Sequence, residues 1–363
     1  MKIAILVSSL SGGGAERVAS LWINGFAGRG HSVIVILNST KESIPYKVPD
    51  CIEMFNISLA THKRCLSLLL YPARIIKLRV ILKKTKPDVL ITVLHPLGLF
   101  ALLASVGMKH KIINTEHNPF ERPQNNRLSL WEYFCKFVIN RRFDAVTVLT
   151  HVDKNIINDR LKNVYVLPNP LTPFESVGVK HSKNIVAAAG RLNAWYVKGF
   201  DVLVEAWSEI SIKYPNWRLQ IAGTGTEDSV QFIERLIRER HCEKSVQLVG
   251  FQADMSGFLS QSDIFVLSSR YEGFGMVLLE AMSQGCACIA CDYNGRQKEI
   301  ISDSSYGVLC PPDSIKSLVQ ALSLLIEDSQ YRQCVQANSP LRANDFSLEK
   351  IMNEWEEILD SLL

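Results

Sequence analysis

Ser268-Ser269-Arg270-Tyr271-Glu272-Gly273-Phe274-Gly275-Met276-Val277-Leu278-Leu279-Glu280-Ala281-Met282-Ser283-Gln284-Gly285 reads as the end of a buried strand, a loop with two glycines, and a helix that Gly285 stops. The amides of Phe274, Gly275 and Met276 at such a helix start are free to face the crevice at the carboxyl ends of the strands, where α/β sheets bind ligands. Glu272 lies in the loop and Glu280 one to two turns into the helix. Two carboxylates so placed can hold two sets of sugar hydroxyls around a phosphate bound at the helix terminus. Two ordinary solvated glutamates satisfy the same spacing.

The same strand, turn and helix grammar repeats on both sides of this stretch. Short apolar runs at 3–8, 31–37, 88–93, 111–114 and 144–148 alternate with helical patterns, and a second series follows at 184–189, 218–222, 245–249, 264–268 and 287–291. Unalternated strands separated by helices predict parallel sheets covered on both faces. The expected fold is therefore α/β, with two doubly wound Rossmann-like domains in tandem. Between the two series, Val164-Tyr165-Val166-Leu167-Pro168-Asn169-Pro170 with Leu171-Thr172-Pro173-Phe174 reads as a Pro-punctuated linker. The predicted divisions are 1–168, 169–345 and a C-terminal amphipathic helix in 346–363 that returns to the N-terminal domain.

A length of 363 residues supports two cores, and 47% hydrophobic with 21% charged residues excludes wholesale disorder, collagen and coiled coil. A net charge of +4 is far from that of a dedicated nucleic-acid binder, so no nucleic-acid partner is expected. The longest apolar stretch, 97–108, is short of the roughly 20 residues that span a bilayer. The first residues have neither the apolar length nor the cleavage site of a secretory signal, and nine cysteines in a long chain fit a reducing cytoplasm.

Other motifs carry less. Ser11-Gly12-Gly13-Gly14-Ala15-Glu16-Arg17 is a tight turn or a phosphate contact, but Arg17 stands where the dinucleotide fingerprint needs its third glycine. Ala222-Gly223-Thr224-Gly225-Thr226-Glu227 departs in the same way, and no P-loop motif occurs. Cys286-x-Cys288-x-x-Cys291 lies on a buried strand with no second cluster, so core thiols rather than a metal site are expected. His95, at a strand end, either lines the site or satisfies a local backbone group. Asn38-Ser39-Thr40 and Asn56-Ile57-Ser58 match the glycosylation pattern without a secretory context.

Taken with its neighbours, the opening stretch resembles the glutamate-x7-glutamate signature of family 4 retaining glycosyltransferases of the GT-B fold. Four further pieces occur in the family's order. Ser11 to Arg17 looks like its N-terminal glycine loop and Glu116-His117-Asn118 like its acceptor-domain histidine motif. Val166-Leu167-Pro168-Asn169-Pro170 looks like its interdomain junction, and Ala189-Gly190-Arg191-Leu192 with Lys198-Gly199-Phe200-Asp201 like its diphosphate-gripping basic pair. The resemblance implies Glu280 on the nucleotide ribose, Glu272 on the transferred sugar, Arg191 and Lys198 on the diphosphate, and His117 toward sugar and acceptor. Gly13, Gly14, Phe251, Phe274, Gly275 and Met276 are implied to complete the donor site.

The implied reaction moves a hexose or N-acetylhexosamine from a UDP-sugar to a saccharide or lipid-linked saccharide, by front-face attack with retention and without a metal or other cofactor. No Asp-x-Asp occurs to hold a divalent ion. A GDP-sugar transferase, a sugar-nucleotide epimerase, a phosphorylase and a sugar-binding protein are the alternatives. Two departures stand out: Arg191 and Lys198 are two residues further apart than is usual, and Asp292-Tyr293-Asn294-Gly295-Arg296-Gln297-Lys298-Glu299 replaces the family's Gly-Gly-x-Pro-Glu.

The overall charge hides a split. Residues 1–170 hold 23 Lys+Arg against 11 Asp+Glu, and residues 171–363 hold 17 against 25. The segment 63–86 interleaves Arg74, Lys77, Arg79, Lys83 and Lys84 with Leu70, Ile76, Val80 and Ile81 and contains no acid. It suits an interfacial helix on an anionic membrane surface, which gives a peripheral location on the inner face of the cell membrane. A core-packed helix with a solvated basic face is the alternative, and Pro72 divides the segment in two.

Overall fold

Strands built from Ile, Val, Leu and Ala with no polar alternation must be buried on both faces, and the computed structural model places them so in two parallel sheets. The structure describes residues 1–39, 46, 48–59, 70–94, 97–123, 126–172 and 183–363. Two units partition it: Met1–Pro170 with Leu348–Leu363, and Leu171–Ser347.

In the first unit β1 (Lys2–Val7), β2 (Ser32–Leu37), β3 (Glu53–Asn56), β4 (Val89–Val93), β5 (Lys111–Thr115), β6 (Ala145–Val148) and β7 (Val164–Val166) form a sheet of order β3-β2-β1-β4-β5-β6-β7. Ile5 pairs with Val35 on one side and Ile91 on the other. In the second, β8 (Ile185–Ala189), β9 (Arg218–Ala222), β10 (Val246–Gly250), β11 (Ile264–Leu267), β12 (Ala287–Cys291) and β13 (Val308–Cys310) form the order β10-β9-β8-β11-β12-β13. The order reverses beside β1 and beside β8, which creates a ligand crevice at the carboxyl end of each sheet.

One reading from sequence needs correction, that of the linker. The supposed linker begins with β7, which pairs in parallel with β6 and closes the sheet edge, and Leu167, Asn169 and Pro170 behind it are buried. Pro168 and Pro170 lack amide donors but follow the strand, so they end pairing without preventing it. The divisions fall at 170/171 and 347/348, because Asn344–Phe346 is a 3₁₀ turn of the second unit. Pro72 occupies the first turn of the helix Tyr71–Thr85, where its missing amide costs nothing, so a helix begins at the point where Pro72 was expected to divide the basic segment. Residues 63–69 of the basic segment, His95 and the 173–174 part of the supposed linker lie outside the described residues.

The C-terminal helix Leu348–Leu362 belongs to the first unit, where it packs on the helix Gly14–Gly28. Trp355 meets Trp22 edge-on at 5.1 Å, and Arg29 Nη2 donates to Glu349 O at 3.0 Å and Asn353 Oδ1 at 2.6 Å. Gly25 permits this approach, since a Cβ there would lie 2.6 Å from Met352 Sδ. No helix among the described residues is long and apolar enough to cross a membrane.

Candidate functional site

The buried strand β11 carries the chain to Ser268 at the carboxyl edge of the second sheet, beside β8. There the loop is fastened to the segment 196–199. Ser268 Oγ donates to Lys198 O at 2.8 Å, Arg270 N to Val197 O at 2.8 Å and Arg270 Nη1 to Tyr196 O at 2.5 Å. Gly199 sits at φ 64°, and a Cβ on it would stand 2.0 Å from Ser268 O, so only glycine allows the two backbones to meet. Arg270 forks onto Asp201 with bonds of 2.7 and 2.8 Å, reaches Asp313 at 2.5 Å, and lies 4.0 Å over the Tyr196 ring.

This scaffold sets Lys198 Nζ 2.6 Å from Glu272 Oε1, which also accepts from Ser269 Oγ at 2.8 Å. The longer spacing between Arg191 and Lys198 is taken up by a 3₁₀ turn, Leu192–Ala194, and one helical turn, Trp195–Lys198. Trp195 stacks on Phe232 at 4.1 Å and anchors that insertion. Arg191 follows β8 on the same edge; it is exposed and makes no ion pair among the described residues.

Gly275, at φ 101°, turns the loop into the helix Met276–Ser283, whose first amides have no carbonyl partner within the helix. Phe274 is buried with its ring edge-on to Phe346 at 5.6 Å, so only its backbone remains to meet a ligand. Glu280 is 3% exposed, which removes the solvated-glutamate reading for that residue. Phe251, directly after β10, is 73% exposed. It stands two strands from β8, about 10 Å away at the usual strand spacing.

After β12, Asp292 Oδ1 accepts from the amides of Gln297 at 2.9 Å and Lys298 at 3.2 Å, and Gln297 Oε1 accepts from Tyr293 N at 2.9 Å. The segment that departs from the family pattern is thus a closed turn, with Arg296 fully buried beneath it. Cys286, Cys288 and Cys291 are buried in and beside β12. Among the described residues no three His, Cys, Asp or Glu side chains gather as a metal site.

The first unit presents its own carboxyl edge. Glu16 closes the glycine loop by accepting from Gly12 N at 2.9 Å, Ser8 Oγ at 3.1 Å and Ser9 Oγ, while Gly13 and Gly14 stay exposed at the helix start. His117 follows β5; its Nδ1 lies 3.2 Å from Asn169 Oδ1, its Nε2 3.2 Å from Thr115 Oγ1, and its ring 5.5 Å from Trp22. Desolvation pushes the imidazole down to about 4, against the opposing pull of Glu116 and Asn169.

Beneath His117 lies a wholly buried ion pair, Lys136 Nζ to Glu116 Oε2 at 2.8 Å. Lys136 also donates to Asn118 O at 3.0 Å, and Glu116 Oε1 accepts from Asn114 at 3.2 Å and Asn140 at 3.0 Å. Sequence reasoning missed Lys136, Asn169, Ser269 and Arg270. Asn169, Ser269 and Arg270 sat within quoted motifs, whereas nothing in the pattern distinguishes Lys136 from a solvated helix lysine.

The model "Glycosyltransferase Family 4" matches residues 12–173 and "Glycosyl transferases group 1" matches residues 172–342. The chain is 30% identical to the amylovoran biosynthesis glycosyltransferase AmsD of Erwinia amylovora, over 99% of both chains. It is 26% identical, over 99% of this chain and 98% of the other, to a Campylobacter jejuni α-1,4-N-acetyl-D-galactosaminyltransferase named for a diphospho-undecaprenol-linked saccharide. HepE of Anabaena, solved with UDP-glucose, superposes with a TM-score of 0.79 at 20% identity, over 99% of this chain and 100% of that one. The chain belongs to glycosyltransferase family 4, of GT-B fold, and is a glycosyltransferase.

Proposed function

We propose that the enzyme transfers a hexose or N-acetylhexosamine from a UDP-sugar to a saccharide or lipid-linked saccharide in surface-polysaccharide synthesis, retaining the anomeric configuration. The observation that carries this reading is the Lys198–Glu272 pair at 2.6 Å on the carboxyl edge of the second sheet. It offers a cation for a phosphate and a carboxylate for sugar hydroxyls side by side, with exposed Arg191 on the same edge. Arg191, Lys198 and the amides at Phe274, Gly275 and Met276 are assigned to the diphosphate, Glu272 to the transferred sugar, Glu280 to the ribose and Phe251 to the donor. On the first unit, Gly13 and Gly14 are assigned to the donor and His117 to sugar and acceptor.

The bond from the anomeric carbon to the diphosphate oxygen breaks as the acceptor oxygen bonds to that carbon on the same face. The acceptor proton passes to the leaving phosphate oxygen. Negative charge grows on the diphosphate, and fixed cations and helix amides stabilise it without a metal. The diphospho-undecaprenol-linked saccharide for which the Campylobacter transferase is named supports an acceptor carried on lipid, the amylovoran biosynthesis of AmsD supports a role in polysaccharide synthesis, and the UDP-glucose bound to HepE supports the donor. A lipid-borne acceptor places the enzyme at the inner membrane face, where the basic segment 63–86 is assigned to anionic lipid.

The test is a panel of UDP- and GDP-sugars read by thermal stabilisation and by turnover in excess chelator. We expect stabilisation by a UDP-sugar and undiminished turnover; stabilisation by GDP-sugars alone, or a strict metal requirement, would overturn the donor or the metal-free reading. Glu272→Ala and Arg191→Ala should each lower kcat about 10²- to 10³-fold with unchanged melting. Consumption of the UDP-sugar without saccharide would instead indicate an epimerase.

A further inference from the structure

The helices Tyr71–Thr85, Leu97–Ala104 and Leu130–Phe137 contribute Leu78, Phe100 and Phe137 to one core cluster of the first unit. They therefore cover the same face of the seven-stranded sheet and turn their outer sides to the same side of the unit. On that side Leu130 is 91% exposed and Trp131 49%, with Phe134 and Val138 also exposed. Trp131 and Phe134 stack at 5.9 Å. Ile76 and Val80 stand exposed on the helix Tyr71–Thr85. Single exposed apolar side chains are ordinary, but aromatic ones gathered on a short helix mark an interaction site.

The charge around them has one sign. Arg127 precedes the helix Leu130–Phe137, Arg141 and Arg142 follow it, and Lys77, Lys83 and Lys84 are exposed on the helix Tyr71–Thr85. The one acid within Leu130–Phe137, Glu132, is held by Ser129 in a capping box and by Arg122 at 2.9 Å. The cap and the buried Cys135, Lys136 and Phe137 fix the helix, so its aromatic side is presented without further ordering. Rings with one wet and one dry edge beside cationic side chains fit the headgroup region of an anionic bilayer.

We propose that the helix Leu130–Phe137 is the membrane-inserting element of this enzyme, with Leu130, Trp131 and Phe134 entering the headgroup–acyl boundary and Arg127, Arg141 and Arg142 meeting lipid phosphates. This rests on the lipid-borne acceptor proposed above and goes beyond it by separating an inserting aromatic helix from the merely electrostatic basic one. The probes are vesicles of phosphatidylcholine alone and with phosphatidylglycerol, used with full-length protein, a Trp131→Ser/Phe134→Ser variant and a Lys77→Glu/Lys83→Glu/Lys84→Glu variant. All substituted side chains are exposed, and melting curves verify folding.

Wild type should sediment with anionic vesicles and show a blue-shifted tryptophan emission that the aromatic variant lacks. The aromatic variant should lose binding at least tenfold at low salt, yet keep its turnover on a water-soluble acceptor. Undiminished vesicle binding by that variant overturns the insertion proposal while leaving a peripheral enzyme held by its lysines. Absence of binding by wild type overturns both. A dimer that the aromatic substitutions dissolve, without any vesicle binding, would assign this face to a second copy and equally overturn the proposal.

Discussion

Lys136 and Glu116 govern how His117 is presented. Neither charge has access to water, so each depends on the other and on the amides of Asn114 and Asn140 and the carbonyl of Asn118 that complete the network. Lys136→Met strands the Glu116 carboxylate and should cost about 3–5 kcal/mol in chemical denaturation, while adding Glu116→Gln should restore part of it. His117 itself, down at about 4 against 6.5 in an unfolded chain, is neutral in the native state. Its contribution to stability is therefore complete above pH 6.5 and is lost as the pH falls toward 4, because the unfolded chain takes up the proton first. A His117→Asn variant should lose less stability than wild type across that interval. The histidine was visible in the sequence as a motif, but its support was not: a lysine in an amphipathic pattern looks solvated until the tertiary fold closes over it.

At the level of elements, the loop after β11 and the insertion before Gly199 act as one piece because Arg270 joins them. Arg270→Met keeps some packing but removes the fork to Asp201, the contact with Asp313 and the bond to Tyr196 O. We expect lower kcat and weaker donor stabilisation, with Arg270→Lys recovering little because an ammonium cannot fork. A melting point shifted as far as the loss of a buried ion pair predicts, with unchanged donor affinity, would show that Arg270 serves the fold alone. Central strands such as β1, β11 and β12 were legible because two buried faces demand continuous apolar runs. Three of the four edge strands were not: β3 is mostly exposed, and β7 and β13 are three residues each, too short for a periodic signal. The closed turn after β12 was likewise invisible, since its Asx-type bonds depend on backbone geometry rather than on a recognisable motif.

For the molecule as a whole, the first unit is completed by residues that come last in the chain. Trp355 fills the space beside Trp22 and Phe26, and Trp22 in turn flanks His117, so Trp355→Ala should cost about 3–5 kcal/mol and lower turnover in the same variant. Thermal unfolding followed with activity at a temperature where the variant remains folded would separate these effects. The discontinuity also sets a timetable for synthesis. A ribosome finishing Pro170 has still to make residues 171–347 before the helix Leu348–Leu362 can emerge, a wait of roughly 9–35 s at about 5–20 residues per second. During that interval the apolar side of the helix Gly14–Gly28 lacks its cover, so the nascent N-terminal half is a natural client for a chaperone. A fragment ending at Pro170 should therefore aggregate unless a peptide of residues 348–363 is supplied in trans, and a circular permutant that makes those residues first should shorten its dependence on such help.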